Sequence, residues 1–576
     1  MRKNYIIAGI FIATLFLQNS SSAQALRPDS LFGFNGKAEV AVGGGESVTG
    51  LLIQNDGKYI VAGFEYDINC NCFYNDMVRL DVCGNIDSSF GTNGIVRHTF
   101  SQRNLGYDYK LQPDGKIVVA GQQAASNSGS GQIPFVARYT SDGQPDTTFH
   151  QTGSNAIRFD PTSSGVFYSV HVLPDGKILC GGISNTNING GFNGPGVMRF
   201  LSNGDADPDF SNDGINVFQD MPPADNFSDY KLHIQSPGRY ILAGRFRING
   251  SQNFSTALAF NASGQTDLTF GTAGYYNDDT PSGNTARVQS AIQSDGKVLL
   301  AADAADQNSV FVKRLTVDGA LDKTFGTDGM VTLPYANGFG AMRGIQQLPD
   351  GRILLFISEE NLGAHFKMHL LDPDGATDES FGSDGAVRFT YGPNSRYLNQ
   401  MIILPDGQWL VGGMHLDNLT AIRLNDQAVI PHIWMDGTML NSGLDNDELT
   451  YQWYLDGAPE PDSNHSQLFP ISNGDYTLQV LDFYGCSYTS APFTLSSVGM
   501  GAVTLDSIYI YPNPSSESFT LSGAVKGTSY ELTDVSGKLF MKGFVMTQNE
   551  VISTSSAAKG VYFLKAGNHI SRLVIR

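Results

Sequence analysis

The sequence has few charged residues, few helix-forming runs and no long apolar segment after its N-terminus. Only 16% of its 576 residues are charged, against about 25% in typical soluble domains. Lys and Arg number 36 against 56 Asp and Glu, and the net charge is −20. We therefore predict no nucleic-acid partner, because that role requires clustered positive charge. We also predict no transmembrane segment in the mature chain, because no later apolar run approaches the ~20 residues that span a bilayer.

Signatures of common catalytic centres are missing as well. The sequence contains no Gly-x-Ser-x-Gly elbow, no Cys/His/Asn set and no glycine-rich phosphate loop. His365 and His369 lie on a predicted strand about 13 Å apart, too far to share one zinc ion unless the segment is bent, and we expect them to be structural. Residues 203–214, "NGDADPDFSNDG", are rich in carboxylates but lack the ligand spacing of a known calcium loop. We expect no cofactor, with calcium as the open alternative.

The five cysteines form no evident disulfide framework. Cys70 and Cys72 fall in a variable loop, and Cys83 falls at the opposite end of a predicted strand. A bond from Cys83 to that pair requires the loop to fold back, because disulfide-bonded Cα atoms lie within about 7 Å. We expect Cys180, at the end of a buried strand, to remain a thiol.

The N-terminus has the pattern of a secretory signal peptide. Arg2 and Lys3 supply positive charge, residues 5–17 form a short apolar core, and small residues follow. These features predict cleavage between Ala23 and Gln24, so that residues 1–23 are removed. An apolar core of about 13 residues is too short for a membrane anchor. We predict a mature protein that leaves the cytoplasm.

Two phrases recur along most of the chain. The first is "LQPDGKIVVAG" at residues 111–121, and its turn glycine has counterparts at intervals of 58, 61, 62, 58, 55 and 56 residues. The second is "DTTFHQTG", starting at Asp146, and its phenylalanine recurs at intervals of 59, 61, 60, 55 and 56 residues. A period of this length indicates a propeller or a solenoid.

Each repeat is interpreted as four strands joined by tight turns, which is typical of a propeller blade. Seven copies of the first phrase are followed by only six copies of the second. The missing copy, "DSLFGFNG", stands at residues 29–36. We therefore predict an all-β fold in which residues 24–430 form a seven-bladed β-propeller and the N-terminal strand closes the last blade. Closure would remove an exposed sheet edge. An open spiral solenoid is the alternative.

The combination of both phrases resembles the delta-60 repeat proteins of bacteria. The resemblance covers most of residues 25–430, and membership of that family implies no established activity.

Residues 431–497 no longer follow the period. Residues 451–486, "YQWYLDGAPEPDSNHSQLFPISNGDYTLQVLDFYGC", resemble an immunoglobulin-like module of bacterial surface proteins. The resemblance implies a core containing Trp453 and a late strand containing Tyr476, followed by Cys486. This stretch has no second cysteine, so the usual intersheet disulfide cannot form. The alternative interpretation is a spacer.

Residues 498–576 contain "IYIYPNPSSESFTL", "YELTDVSGKLFMKG", "KGVYFLKAG" and "SRLVIR" in this order. These segments indicate a small β-sandwich. They resemble the C-terminal sorting domain of the type IX secretion system, which implies the secretion machinery as a partner and an extracellular or outer-membrane location. The resemblance also implies removal of this domain, often with attachment to surface lipopolysaccharide. An ordinary terminal β-domain is the alternative, and the sequence leaves attachment and free release both open.

The repeat also guides the search for a functional site. A residue present in every blade serves the blade, so a site should use unrepeated residues. The loops opposite the Asp-Gly turns vary most, which predicts the functional face there. Six aromatic residues assigned to connections between blades are candidates for ligand contact: Tyr275, Tyr276, Tyr335, Phe339, Tyr391 and Tyr397. Packing beneath the loops is the alternative.

Three functional hypotheses follow. The leading one is a secreted or surface-displayed binding or structural protein whose glycan or protein ligand is unknown. The second is an extracellular glycan-active enzyme with two unrepeated carboxylates about 5–10 Å apart on the variable face. The third is a rigid display element without a small ligand.

Overall fold

A computed structural model describes residues 27–576 except 30, 35, 43–46, 102, 126–130, 162, 186–193, 220, 222–225, 249–251, 283–287, 336–339, 360–364, 383, 391–394, 405–407, 416–417, 426–432, 437–438, 443–448, 462, 482–485, 497–507, 525, 548 and 568. The predicted signal peptide, with Ala23 and Gln24, lies outside these residues. The regular elements of the described part are all β-strands. Within it, no helix has the length and hydropathy needed to cross a bilayer.

Residues 27–425 form seven antiparallel sheets. The short strands β1 (Arg27–Pro28) and β2 (Lys37–Val40) come first in the chain. The first meander contains β3 (Ser47–Ile53), β4 (Tyr59–Asp67), β5 (Cys72–Leu80) and β6 (Ile95–His98). The second contains β7 (Asn104–Leu111), β8 (Ile117–Ala124), β9 (Gln132–Tyr139) and β10 (Ser154–Ala156). The third contains β11 (Ser164–Val172), β12 (Ile178–Asn185), β13 (Gly194–Phe200) and β14 (Ile215–Val217).

The remaining sheets repeat the same pattern. The fourth contains β15 (Asn226–Ser236), β16 (Arg239–Ile248), β17 (Gln252–Asn261) and β18 (Tyr275–Asn277). The fifth contains β19 (Gln289–Ile292), β20 (Val298–Asp303), β21 (Ser309–Leu315) and β22 (Met330–Pro334). The sixth contains β23 (Ala341–Gln347), β24 (Ile353–Glu359), β25 (His365–Leu371) and β26 (Ala386–Thr390). The seventh contains β27 (Ser395–Ile403), β28 (Trp409–His415) and β29 (Asn418–Asn425), and both β1 and β2 pair with β29.

The first strands of the seven sheets surround a common axis. Each of them contacts the first strand of the next sheet, and β27 contacts β3. The second strands are buried on both faces, as in β20 and β28, which agrees with the apolar runs of the first phrase. The propeller arrangement predicted from the repeat is therefore what the sheets show.

The Pro-Asp-Gly turns form as their residue types require. In the second sheet, the Gly115 amide donates to the Gln112 carbonyl at 2.9 Å, and the Asp114 carboxylate accepts from the Lys116 amide at 3.2 Å. Gly115 has φ +83°, a backbone conformation that favours glycine. The turn thus fixes the register between β7 and β8.

The second phrase joins each sheet to the next through an Arg–Asp–Phe unit. In the second sheet, Arg138 Nε donates to Asp146 at 2.8 Å, and the guanidinium carbon lies 4.8 Å from the Phe149 ring centroid. Arg138 also donates to the Ser202 carbonyl of the third sheet at 2.6 Å. Phe149 is fully buried against Gly204, where a Cβ atom would lie 2.9 Å from the ring. Each unit therefore bonds its own sheet and its neighbour.

The N-terminal segment supplies this unit for the last sheet. Asp29 binds Arg423 of β29 at 2.6 Å, and Phe32 lies 5.2 Å from the same guanidinium carbon. Arg423 donates to the Val82 carbonyl of the first sheet at 3.0 Å. The described residues of the segment 29–36 therefore take the place predicted for the missing second phrase, and they connect the seventh sheet to the first.

Two smaller β-units follow. The central module, residues 433–495, contains β30 (Trp434–Asp436), β31 (Met439–Asn441), β32 (Thr450–Leu455), β33 (Ala458–Pro459), β34 (Gln467–Leu468), β35 (Gly474–Leu481), β36 (Ser487–Thr489) and β37 (Phe493–Leu495) in two sheets. Trp453 is fully buried, and the Tyr476 hydroxyl donates to the Ser472 carbonyl at 2.7 Å. Both residues occupy the positions predicted for them, while the immunoglobulin-like assignment itself stays a prediction.

The C-terminal domain, residues 509–576, also has two sheets. Its strands are β38 (Tyr509–Tyr511), β39 (Ser518–Ser522), β40 (Ser529–Asp534), β41 (Leu539–Phe544), β42 (Asn549–Ser553), β43 (Gly560–Ala566) and β44 (His569–Ile575). Asn513 bonds the backbone of Arg572 and Val574 at 2.6 and 2.9 Å. The "PNP" turn near the start of the domain is thereby fixed to its last strand.

The cysteines pair in a way that sequence reasoning missed. Cys70 bonds Cys72, and Cys83 bonds Cys486 of the central module with a Cα–Cα distance of 5.1 Å. The sequence offers only the nearer pair, Cys70 and Cys72, as partners of Cys83, because no spacing in it indicates that the central module lies against the first sheet. Cys180 is a buried free thiol.

We predict that Asp146→Asn destabilises the propeller through loss of one junction. The Arg138 and Asp146 side chains are 7% and 5% exposed, and removing one partner of a buried pair costs about 3–5 kcal/mol. The exposed His150–Asp205 pair is the control, and Asp205→Asn should change the free energy of unfolding by less than about 0.5 kcal/mol. Chemical denaturation measures both variants. Because both pairs lie at the same junction, equal effects would contradict a specific role of the buried Arg138–Asp146 pair.

A second prediction concerns acid. Burial acts to raise the pKa of Asp146, but hydrogen bonds from Thr148 and the charges of Lys116 and Arg138 outweigh burial and lower the pKa to about 2. The pKa is also lowered at five equivalent carboxylates, those of Asp87, Asp207, Asp267, Asp322 and Asp378. Unfolded Asp has a pKa of about 3.9, so below that pH the unfolded chain binds more protons than the folded chain.

The free energy of unfolding should therefore fall as the pH decreases from about 4 to 2. Denaturant midpoints measured at pH 7, 4, 3 and 2 test this expectation. Asp146→Asn should show a shallower decrease than the unmodified chain, because one such carboxylate is absent. A midpoint that is constant between pH 4 and 2 would refute the assignment.

Candidate functional site

A cavity of about 280 Å³ lies on the propeller axis, among the seven first strands. Every sheet contributes at least one lining residue. The lining consists of Val48, Thr49, Tyr107, Tyr168, Asp229, Lys231, Val288, Gln289, Met342, Arg343, Asn399 and Gln400. The cavity is therefore built by the whole ring and not by a single loop.

A repeated backbone irregularity places side chains there. Six first strands have a register shift, which in the second sheet falls between Gly106 and Asp108. β-Bulges of this kind redirect side chains and are common beside functional sites. One residue at each shift lines the cavity: Thr49, Tyr107, Tyr168, Asp229, Arg343 and Asn399. The bulge recurs in six sheets, whereas the residue type at the bulge differs from sheet to sheet.

The aromatic part of the lining is a tyrosine pair. The rings of Tyr107 and Tyr168 are 5.7 Å apart and tilted by 40°, and both side chains are half-buried. The pair therefore offers an apolar surface beside polar groups. Such surfaces suit ligands that have both apolar faces and hydroxyl groups.

The charged part of the lining is mixed. Asp229 lies 3.4 Å from Arg245, and Lys231 donates to Gln289 at 2.7 Å. Arg343 donates to Ser358 at 2.8 Å. Asp229 is the one carboxylate among the described lining residues. A pair of carboxylates of the kind that glycosidases use is thus not formed by this lining.

Hydrogen bonds between neighbouring first strands hold the cavity wall in place. His171 bonds the Leu232 carbonyl at 2.7 Å, and His233 bonds Ser290 at 2.8 Å. Burial, with smaller contributions from the charges of His171 and Lys231, lowers the pKa of His233 to about 3. The imidazole of His233 is consequently neutral at physiological pH, and its role is to connect two sheets.

Three of the predicted ligand-face aromatics pack inside the propeller. Tyr275 and Tyr276 lie on β18, the outermost strand of its sheet, and are half-buried against two hydrophobic clusters. Tyr335 is 5% exposed and its hydroxyl donates to Asp303. Burial and the Asp303 charge raise the pKa of Tyr335 above its usual value. The surroundings of these three residues therefore fit the alternative interpretation, in which the aromatic rings pack within the protein.

The other three candidates are less fully placed. Phe339 and Tyr391 lie outside the described residues. The backbone of Tyr397 pairs with Met414 within β27 and β28, and its side chain is outside the description. A role of these aromatics in ligand contact stays a prediction.

Two residues considered for metal binding, Asp207 and His369, make other contacts, and the side chain of His365 lies outside the described part. Asp207 accepts from Arg199 at 2.5 Å and from Lys177 at 2.8 Å, and His369 is buried 3.3 Å from the Thr377 hydroxyl. Among the described residues, no group of three or more His, Cys, Asp or Glu side chains is arranged to hold a metal ion.

The cavity residues escaped sequence reasoning, although the repeat contains a signal for them. Thr49, Tyr107, Tyr168, Val288, Arg343 and Asn399 each precede a turn glycine by eight residues, and Asp229 precedes one by nine. Functional sites are expected on long variable loops, whereas this site uses one variable position within a regular strand. That position becomes apparent when the repeats are superimposed on the turn glycine.

Comparison with known proteins identifies parts of the chain. Residues 112–149, 173–210 and 293–325 match the β-propeller domain of unknown function DUF5122. Residues 509–576 match the secretion system C-terminal sorting domain. A search of curated proteins gave no match.

Several solved structures are similar at low identity. A polysaccharide lyase, the PL25 ulvan lyase, is 11% identical with a TM-score of 0.39, covering 68% of this chain and 95% of the lyase. PorZ, a surface component of the type IX secretion system of Porphyromonas gingivalis, is 12% identical with a TM-score of 0.20, covering 94% of this chain and all of PorZ. The β-propeller domain of the Trilobed protease from Pyrococcus furiosus is 12% identical with a TM-score of 0.34, covering 66% and 96%. These values support no inference about activity.

The sorting domain implies interaction with the type IX secretion machinery and export to the cell surface or the medium. The matched repeats lie within the seven sheets of the propeller, which the sorting domain follows in the chain. The chain is therefore an all-β, secreted or surface protein that carries DUF5122 β-propeller repeats and ends in a type IX sorting domain.

Proposed function

We propose that this chain is an extracellular binding protein whose ligand occupies the axial cavity. The observation that carries the proposal is the set of six bulges, which direct unrepeated side chains to one place. Selection for folding alone favours repeated residues at equivalent blade positions, as the Arg–Asp–Phe units illustrate. A shared backbone position with varied polar and aromatic residues fits recognition of an asymmetric ligand.

The chemistry of the lining favours a carbohydrate. The tyrosine pair offers ring faces to a sugar, while Asn399, Gln400 and Gln289 offer amide groups to its hydroxyls. Lys231 and Arg343 add positive charge, which favours sugars that bear a carboxylate or sulfate group. A volume of about 280 Å³ lies at the lower end for ligand pockets, and so it suits a terminal sugar unit.

Binding is favoured over catalysis because the described lining contains a single carboxylate, Asp229. Hydrolysis of a glycosidic bond ordinarily uses two carboxylates. The glycan-active alternative makes a distinct prediction: substrate turnover that is lost when Asp229 is replaced by Asn. A display element without a ligand predicts neither binding nor turnover.

We expect Tyr107→Ala and Tyr168→Ala each to weaken glycan binding at least tenfold, because central aromatic anchors commonly contribute about 2 kcal/mol or more and about 1.4 kcal/mol corresponds to a tenfold change in affinity. Tyr509→Ala, at a 61% exposed tyrosine of the C-terminal domain, is the matched control and should bind as the unmodified chain does. Calorimetric titration with neutral and acidic oligosaccharides, chosen by a polysaccharide panel, measures the affinities. Thermal unfolding of each variant verifies that it is folded.

Binding that is unchanged in both cavity variants would contradict the axial site. Release of reducing or unsaturated ends from any polysaccharide, abolished by Asp229→Asn, would establish the enzyme alternative. The absence of both binding and turnover across the panel would favour the display role.

Export is tested separately by removing residues 509–576. In a cell with type IX secretion, the truncated chain should remain within the cell envelope, because its sorting domain is missing. Immunoblots of medium, surface-digested cells and periplasm locate the protein, and the full chain is the control. Equal amounts of both chains at the surface or in the medium would contradict the role of this domain. Their distribution also shows whether the full chain is attached or released.

A further inference from the structure

Two propeller residues depart from the repeat at one place in the structure. Leu31 stands two residues after Asp29, where the other sheets have Ser89, Thr148, Asp209, Thr269, Thr324 and Ser380. Five of these residues have a hydroxyl group that donates to the preceding Asp, as Thr148 does at 2.6 Å, and the sixth, Asp209, is also polar. A leucine side chain cannot make this bond. Cys83 occupies a turn position where the other described turns have Asp142, Asn203, Ser263, Asp318 and Asp374.

Both departures lie at the junction between the seventh sheet and the first, which we call the seam. The Gly33 amide donates to the Cys83 carbonyl at 2.7 Å, and Phe32 packs against Gly84. The same backbone contact occurs at other junctions, for example between Gly91 and Asp142 at 2.8 Å. The seam therefore has the standard geometry, with altered side chains at two points.

The altered side chains face the central module. Leu31 is 5% exposed and belongs to the same hydrophobic cluster as Trp453 and Leu440 of that module. Cys83 packs against this cluster and is bonded to Cys486. Residues that break the repeat inside the propeller thus complete the core of the neighbouring unit.

The seam differs from the other junctions in chain connectivity. At other junctions, the Asp–Phe segment follows directly from the third strand of its own sheet. At the seam, Asp29 and its partner Arg423 are 394 residues apart, and the N-terminal segment is held in the last sheet by two short strands, β1 with two paired residues and β2 with four. Opening of the seam breaks no covalent connection between the N-terminal segment and β29, so this is the junction that most needs an additional constraint.

We propose that the central module is a covalent clamp that holds the propeller closed at the seam. The Cys83–Cys486 bond fixes the module to the first sheet, and burial of Leu31 in the module core holds the N-terminal segment in the last sheet. The clamp role is independent of any ligand in the axial cavity. It replaces the interpretation of this module as a spacer.

Hydrogen exchange of the full chain, purified from an oxidising compartment, tests the clamp. The variant Cys83→Ser/Cys486→Ser should increase the exchange rate of peptides covering residues 29–40 at least tenfold. Peptides covering the equivalent segment of the second sheet, Asp146 to Gly153, should not change. The matched control, Cys70→Ser/Cys72→Ser, removes the disulfide that lies within the first sheet and should leave residues 29–40 unchanged.

A second variant separates the two parts of the clamp. Leu31→Ser restores the residue type of the repeat but removes the apolar contact, and it should also accelerate exchange in residues 29–40 with the disulfide intact. If the double cysteine variant does not fold, folded Cys70→Ser/Cys72→Ser protein treated with a phosphine reductant gives the same comparison, because Cys83–Cys486 is then its remaining described disulfide. Unchanged exchange at the seam, or equal acceleration in all sheets, would overturn the proposal.

Discussion

The fold depends on one carboxylate at each junction between sheets, which is held by positive charge and lies beside a buried phenylalanine. In four sheets the third strand supplies an arginine and the residue after the turn is lysine, as with Arg138 and Lys116 around Asp146. In the fourth sheet, Ala259 replaces this arginine, and Arg239, which follows the turn, binds the carboxylate at 2.7 Å. In the sixth sheet, Leu370 replaces it, and Arg352, which follows the turn, binds the carboxylate at 2.8 Å. The sequence changes, but a guanidinium on the carboxylate is retained.

This constraint also explains why a site can form at the axis. Junction contacts lie near the Asp-Gly turns, so they fix the sheets without using the opposite ends of the first strands. The bulges occur in the first half or the middle of the first strands, eight residues before the turn glycine in most repeats. Variation in Tyr107 or Arg343 therefore alters the cavity without altering a junction. Rigid support from one end and variable side chains at the other is a common basis for recognition.

The repeat was sufficient to predict the propeller and the N-terminal segment that pairs with its last sheet, because both depend on local turn chemistry or on periodicity. It was not sufficient for contacts between the propeller and the central module, which lies outside the repeat. Nothing near Cys83 indicates Cys486 as its partner, since 403 residues separate them and their proximity results from ring closure. The cavity lining was missed for another reason: Thr49 and Asn399 look like ordinary strand residues until the bulge directs them to the axis.

Departures from the repeat fall into two classes that the structure separates. Ala259 and Leu370 are compensated within the same sheet, by Arg239 and Arg352, so they preserve the junction and imply no further contact. Leu31 and the cavity residues are not compensated in this way. Leu31 contacts the central module, and the cavity residues converge on the axis. In a repeat protein, an uncompensated departure therefore indicates an interaction outside the repeat, which is why both the axial cavity and the seam are assigned roles beyond folding of a single sheet.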